Sequence, residues 1–362
     1  GTLEKEPQVF HTDHPLEALA RSLNDTGKVS TGFIAAALEK DEDHVVAALQ
    51  GHIYLDPVSG GWLTADHYLS GNVIEKLKAA SRAAANSPDN PYLQESLEAI
   101  RSVQPERIPF ALLDFNFGER WIPADYYRRY ASEVFELSTQ VIYFSSMDTY
   151  KVKAERNNVK LSQEYAIRPK SGKNMYGENL MEHALENTAP LFTYEVKSGE
   201  ESRRYPDSEA TQLAHQKIER LRQGFNEWLQ QLPVEEKLKL ETLYNETFNC
   251  YRLREYDGSH QQFPGFDRKN LGIENPYRSQ YNAVWRIVQN RGALIDHEVG
   301  LGKTLTMSLA AQEMKRLGIC QKPMILALKA NVDQIRDTYQ LAYPGARIIA
   351  PNPEDFSPAN RV

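Results

Sequence analysis

Between residues 292 and 318 the chain runs through a short apolar segment, a glycine-bearing turn and an amphipathic stretch, and this succession constrains the fold more tightly than any other part. The segment Gly292-Ala293-Leu294-Ile295 leads into Asp296-His297-Glu298-Val299-Gly300-Leu301-Gly302-Lys303-Thr304, after which Leu305, Leu309, Ala310, Met314 and Leu317 recur on one helical face before Gly318. A short apolar run of this kind reads as a buried parallel strand, and the spacing that follows reads as a helix stopped by glycine. Strand, glycine loop and Gly-Lys-Thr opening a helix form the context of a phosphate-binding loop. Gly300 and Gly302 let the backbone curl so that its N–H groups face phosphate oxygens, and the helix dipole points to the same place. Lys303, the candidate catalytic residue, places a charge on the β- and γ-phosphates, and Thr304 is the candidate magnesium ligand. ATP and Mg2+ are the cofactors this chemistry calls for.

A lone Gly-Lys-Thr would equally suit a surface turn capping a helix, and His297 stands where the common G-x-x-x-x-G-K-[ST] pattern has its first glycine. The downstream sequence decides between the two. Pro323-Met324-Ile325-Leu326-Ala327-Leu328 reads as a second strand, and Asn331 as the cap of a helix through Val332, Ile335 and Tyr339. Tyr343-Pro344-Gly345-Ala346 then turns into Arg347-Ile348-Ile349-Ala350. This alternation predicts a parallel α/β sheet with a nucleotide site at its carboxyl edge.

Upstream, the chain divides into four stretches. Residues 1–70 read as three helices and a hairpin. Leu16, Leu19, Ala20 and Leu23 share one face, Ser30 or Thr31 caps a second helix, and Asp41 caps a third with Val45, Val46 and Leu49 buried. Residues 52–55 and 61–64 then flank Asp56-Pro57-Val58-Ser59-Gly60. That is winged-helix order. Such domains often read DNA with the third helix, but here it opens Asp41-Glu42-Asp43-His44, which repels phosphate, so protein docking or a structural role is favoured over DNA reading. Residues 71–105 form a helical hairpin broken at Ser87-Pro88-Asp89-Asn90-Pro91.

Residues 106–206 read as an α+β region. Strands are expected at Phe110–Phe115, Arg120–Ile122, Gln140–Phe144, Tyr150–Ala154 and Gln163–Ile167, with a helix after Pro123. Its basic residues Lys151, Lys153, Arg156, Lys160, Arg168, Lys170 and Lys173 interleave with Tyr143, Tyr150, Tyr165 and Tyr176. They are candidate DNA contacts through stacking and phosphate binding, although a solvated sheet face over core tyrosines is the favoured account. Residues 207–265 are a helical brace, with Ala210, Leu213, Ile218, Leu221, Phe225 and Leu229 in one stripe. Residues 266–362 carry the glycine loop.

Composition narrows the classes. With 41% hydrophobic and 25% charged residues the 362-residue chain is globular rather than disordered or fibrous. No apolar run reaches the ~20 residues of a membrane span, so no membrane partner is expected. Cys250 and Cys320 alone build neither a disulfide framework nor a cysteine zinc site, which suits a reducing cytoplasm. At a net charge of −7, nucleic-acid binding requires local patches. His11 and His14 have no carboxylate or cysteine cluster beside them, and no Gly-x-Ser-x-Gly elbow occurs.

The run from Asp296 through Thr304 to Leu305-Thr306-Met307 resembles the first motif of Snf2-like superfamily 2 helicases, whose acidic-x-Gly-x-Gly-Lys-Thr loop lacks the early glycine. It resembles more closely the large methyltransferase–helicase polypeptides of phages and conjugative elements, including phage antirestriction proteins. The likeness continues through Asn282-Ala283-Val284-Trp285-Arg286-Ile287 and the run from Leu253 to His260, and more faintly through Trp121-Ile122-Pro123-Ala124 and Tyr68-Leu69-Ser70-Gly71-Asn72-Val73. The resemblance implies a partial RecA-like lobe, ATP contacts from Gln280, Glu298, Gly300, Leu301, Gly302, Lys303 and Thr304, and adenine reading by Gln280, for which a surface glutamine at a helix start is the alternative. It also implies DNA as the parent's partner, a methyltransferase upstream, and a second motor lobe downstream. A bacterial or phage-encoded cytoplasmic protein is the expected setting.

After Thr304 only 58 residues remain, and none of them forms an Asp-Glu-x-His or Asp-Glu-x-x box. Asp41-Glu42-Asp43-His44 matches the letters but reads as an acidic helix start. Asn90-Pro91-Tyr92 and Asn275-Pro276-Tyr277 lack the second proline of a methyltransferase box. The expectation is therefore a piece of an ATP-dependent DNA helicase or translocase, inactive as an ATPase by itself; the alternative is a non-enzymatic DNA- or protein-binding linker module.

Overall fold

Helix starts in the first third of the chain follow the side chains that cap them. In the computed structural model, which describes residues 10–154, 158–198 and 201–351, α1 (Pro15–Thr26) opens on proline and ends at Gly27 in the left-handed region. Ser30 caps α2 (Thr31–Leu38) by accepting from Phe33 N, and Asp41 caps α3 (Glu42–Ala48) by accepting from His44 N. β1 (Ile53–Leu55) and β2 (Trp62–Thr64) pair antiparallel around Asp56, whose carboxylate accepts from the N–H groups of Val58 and Ser59. Ala18, Ile34, Val45, Leu49 and Ile53 close a small core. The three helices and hairpin read from the sequence are all present.

The chain continues through α4 (Ala65–Tyr68), β3 (Gly71–Asn72), α5 (Val73–Asn86) and α6 (Pro91–Ser102). Asn72 and Asn90 cap the last two. Tyr68, Val73, Ala80 and Ile100 fill the core of this helical hairpin.

Residues 105–250 form a separate compact unit. It contains α7 (Ala124–Phe135), β4 (Gln140–Phe144) paired with β5 (Thr149–Lys153), α8 (Gly177–Leu185), β6 (Thr193–Ser198) paired with β7 (Glu201–Pro206), α9 (Ser208–Gln231) and α10 (Val234–Phe248). One aromatic core, including Phe117, Tyr127, Tyr130 and Phe225, runs from the first residues of the unit into α9 and reaches Leu240 of α10.

Three expected strands take other forms. Phe110–Leu112 is a 3-10 turn, Arg120–Ile122 a turn ending in a bend, and Lys160–Glu164 a π-helical turn, after which Ile167 makes a single bridge to Met175. Burial explains the change. Phe110, Phe115 and Phe117 insert into the aromatic core, and the Phe110 N–H donates to Glu241 Oε2 at 2.9 Å, so a side chain does the work of a neighbouring strand. Gly118, at φ +92°, approaches α8 so closely that a Cβ would lie 1.9 Å from Leu185 O.

After β8 (Tyr251–Arg252), which pairs with β3, the chain rejoins the N-terminal residues in one unit. Here α11 (Arg278–Asn290), α12 (Lys303–Arg316) and α13 (Lys329–Ala342) pack around Phe263, Val284, Trp285, Leu309 and Tyr343. The helix after the glycine loop is as expected, and α13 starts two residues before Asn331. The parallel sheet is not. Among the described residues, all sheets are two-stranded and antiparallel, and residues 292–295, 323–328 and 347–350 run without ladder partners. Leu294, Met324, Leu326, Leu328 and Ile349 stand 77–92% exposed. The helices bury their apolar faces against one another, which leaves these segments without the two-sided cover a parallel strand requires. Among the described residues no helix is long and apolar enough to cross a membrane.

Candidate nucleotide-binding site

The glycine loop is held from below by one buried side chain. Gln280 lies in the first turn of α11 and is 2% exposed. Its Oε1 accepts from Tyr277 N at 2.8 Å, closing a capping box, and its Nε2 donates to Gly302 O at 3.1 Å. Gln280 therefore both starts its own helix and fixes the last residue of the loop. Gly302 sits at φ +69°, the left-handed region that favours glycine, and a Cβ there would lie 2.6 Å from Gln280 Nε2, so the glutamine amide would have to shift from its bond to Gly302 O.

Gly302 is also the N-cap of α12, and it offers no capping side chain. The N–H groups of the first turn are thus available to an external acceptor. Gly300, at φ +94°, turns the chain ahead of it, and Leu301 N donates to Glu298 O at 3.3 Å. Lys303 folds back over the turn, its Nζ donating to His297 O at 2.5 Å and Glu298 O at 3.1 Å. The ammonium thus rests on loop carbonyls, at the place where phosphate oxygens would offer stronger, charged acceptors. Thr304 is half-buried at the mouth of the helix, and Glu298 joins through its backbone.

Beside the loop lies a pocket of about 480 Å³ lined by Ile273, Glu274, Asn275, Tyr277, Gln280 and Leu305 together with Gly302. That volume suits a nucleobase and its sugar. Gly300, Leu301, Gly302, Lys303, Thr304, Glu298 and Gln280 are therefore brought to one place. Nothing in the sequence singles out Ile273 and Glu274, and Asn275-Pro276-Tyr277 reads there only as an incomplete methyltransferase box, so the sequence does not assign this wall to the site. Both sides of the Gln280 amide are engaged with the protein, so a base in the pocket meets this residue mainly as a wall.

The basic residues of the other unit are dispersed. Lys151 pairs with Glu182 at 3.1 Å, Lys160 with Glu136 at 2.6 Å and Lys170 with Glu209 at 3.6 Å. Lys153, Arg168 and Lys173 are exposed, and Arg156 lies outside the described residues. Tyr150 and Tyr165 are buried in the core, where neither presents a face to a base. On the winged helix, Glu42 accepts from Thr31, and the exposed surface of α3 carries Asp41, Asp43 and His44.

Three family models match the chain. Residues 11–63 match a family described as "Probable helicase, winged helix domain". Residues 116–250 match a "Domain of unknown function (DUF8437)". Residues 285–362, which include the whole glycine loop, match a "Probable helicase domain". No curated protein and no solved structure matches. The family matches indicate a helicase-related segment that carries a winged-helix domain.

Proposed function

We propose that this chain is the nucleotide-loop segment of an ATP-dependent DNA helicase or translocase of the Snf2-like superfamily 2 type, in a polypeptide that also carries a DNA methyltransferase. The observation that supports it most is the uncapped N-terminus of α12, with Lys303 folded over a turn whose backbone is fixed by buried Gln280. The N–H groups of the first turn of α12 would hold phosphate oxygens, and the Lys303 ammonium, now on two loop carbonyls, would serve the β- and γ-phosphates. The Thr304 hydroxyl is the group that would hold Mg2+, and the ion when bound would neutralise phosphate charge. The base occupies the pocket of residues 273–280. When bound, ATP–Mg2+ supplies the free energy of hydrolysis, and this chain's residues orient the triphosphate.

DNA is the partner proposed for the whole polypeptide, and the helicase winged-helix match supports it. The acidic α3 surface makes that domain a poor reader of phosphates by itself, and the exposed Lys153, Arg168 and Lys173 are among the cations the other unit offers. Titration of ATP–Mg2+ into the wild-type chain and into Lys303→Ala tests the reading: saturable binding that the substitution removes supports it, and equal behaviour of the two chains refutes it.

A further inference from the structure

The two ends of α12 have different neighbours. The N-terminus forms the glycine loop, and the C-terminus meets the winged helix. Arg316, in the last turn, donates from Nη2 to Asn24 O at 2.5 Å, and from Nε and Nη2 to the Glu313 carboxylate at 2.5–3.1 Å. The Glu313 side chain is 1% exposed and that of Arg316 22%, so the carboxylate is closed to water while the guanidinium keeps part of its surface in solvent. α1 carries no basic residue in its own last turn, where the negative end of the helix dipole favours one. Arg316 supplies that charge from a segment 292 residues away.

The rest of the junction shares this character. Ser22 O and Leu23 O at the end of α1 are taken within the winged helix, by Thr26 Oγ1 and Gly27 N. Asn24 O and Gly27 O are taken from outside it, by Arg316 and by Gln289 Nε2 at 2.9 Å. Gln262 N donates to Asn24 Oδ1 at 2.9 Å, and Leu23 packs among Phe263, Val284, Trp285 and Leu309. The polar groups at this helix end find their partners in the docked arrangement, and an undocked winged helix would leave buried Glu313 and the Arg316 guanidinium to be resolvated.

We infer that the winged helix is a docked brace for the nucleotide loop: it holds α12 at its C-terminal end, and the position of α12 sets the loop geometry at its N-terminal end. This rests on the loop reading given above only for its nucleotide consequence. α12 is 14 residues long, a rod of ~20 Å. Gly302 O accepts from Thr306 N at 3.0 Å inside the rod and from Gln280 outside it, so a shift of α12 along α11 alters the loop directly. Coupling then runs both ways, because occupancy at the loop biases docking as much as docking biases the loop.

The test uses the whole chain and hydrogen exchange of backbone amides, first without nucleotide. Replacing Glu313→Leu and Arg316→Leu together removes the bond to Asn24 O without leaving a lone buried charge. Gln289→Leu removes the second donor and leaves the Glu313–Arg316 pair in place, and because it also takes the acceptor of Arg254 Nη1, exchange near Arg254 is followed alongside. Both variants are expected to accelerate exchange about fivefold or more at Leu301 and Thr306 as well as at the end of α1, whereas Arg316→Lys alone, which keeps a cationic donor beside Glu313, largely retains protection at both places. Acceleration confined to α1 and the last turn of α12, with the loop unaltered, overturns the inference. In a second arm the leucine variants weaken binding of a fluorescent ATP analogue by a similar factor. If the wild-type chain binds no analogue, the nucleotide reading falls, and the first arm still decides the coupling.

Discussion

Gly302→Ala is the perturbation whose cost the structure sets most sharply. Two terms add. At φ +69° an alanine in the left-handed region costs ~1–2 kcal/mol. The new Cβ would lie 2.6 Å from Gln280 Nε2, so the glutamine must leave, and a buried amide that loses its partner costs a further ~1–3 kcal/mol. The sum is about 2–5 kcal/mol against the unit that contains α11 and α12. Gly300→Ala is the control: its φ is +94°, but a Cβ there meets nothing within 4 Å, so only the first term applies. Gln280→Ala closes a cycle, because in that background the second term of Gly302→Ala vanishes and the two substitutions couple by ~1–3 kcal/mol. Urea unfolding followed through exchange of the α11 and α12 amides measures all four variants. Equal costs for Gly300→Ala and Gly302→Ala, or an unchanged Gly302→Ala cost without Gln280, would refute the claim that this glutamine fixes the loop.

Three further outcomes follow from the same unit. Arg254, 7% exposed at its side chain, donates to Asp66 Oδ2 at 2.7 Å and Gln289 Oε1 at 3.3 Å and lies over the Tyr256 ring; Arg254→Met is expected to lower the unit's stability by about 2–3 kcal/mol in urea, and a loss under ~0.5 kcal/mol would show that these contacts do not hold the unit together. His260 lies edge-on to Trp285 at 4.3 Å, and burial holds its pKa down at about 4. The unfolded chain therefore binds the extra proton first, so stability is full above about pH 6.5 and falls as the pH drops toward 4, by at most ~3 kcal/mol from this group. His67, held low mainly by burial, acts with the same sign, so His260→Phe should flatten the urea-midpoint profile between those values only in part, and an unchanged profile would count against a buried neutral His260. Leu326→Lys, at a side chain 82% exposed, is expected to change stability by less than ~0.5 kcal/mol and to reduce binding of a hydrophobic dye; a large loss of stability would show that the segment is packed.

What the sequence made legible was local. The caps at Ser30, Asp41 and Asn90 and the proline at the start of α1 act within three residues, and the helices begin where those side chains require. The glycine loop was legible for the same reason, since two positive-φ glycines, a lysine and a helix start are consecutive in the chain. Strands were less so. Phe110–Phe115 and Gln163–Ile167 have strand-like composition, but their burial comes from a core assembled out of α7, α8 and α9, which no short window contains. The hairpin of β6 and β7 escaped notice because β7 is exposed along its whole length, so no apolar alternation marks it. Of the site, Gln280 was found through its place ahead of the loop, yet its bond to Gly302 spans 22 residues. The bond from Arg316 to Asn24 depends on two helix ends meeting in space, and nothing in either segment announces the other.

The central claim is that residues 296–304 seat a triphosphate, and titration calorimetry with ATP and Mg2+ on the whole chain tests it most directly. The account expects saturable binding by the wild-type chain. It expects at least ~10-fold weaker binding by Lys303→Ala, because one charge-assisted contact is worth about 1.5–3 kcal/mol, with an unchanged circular dichroism spectrum. Absence of binding to the wild-type chain, or equal affinity in the folded variant, would contradict it.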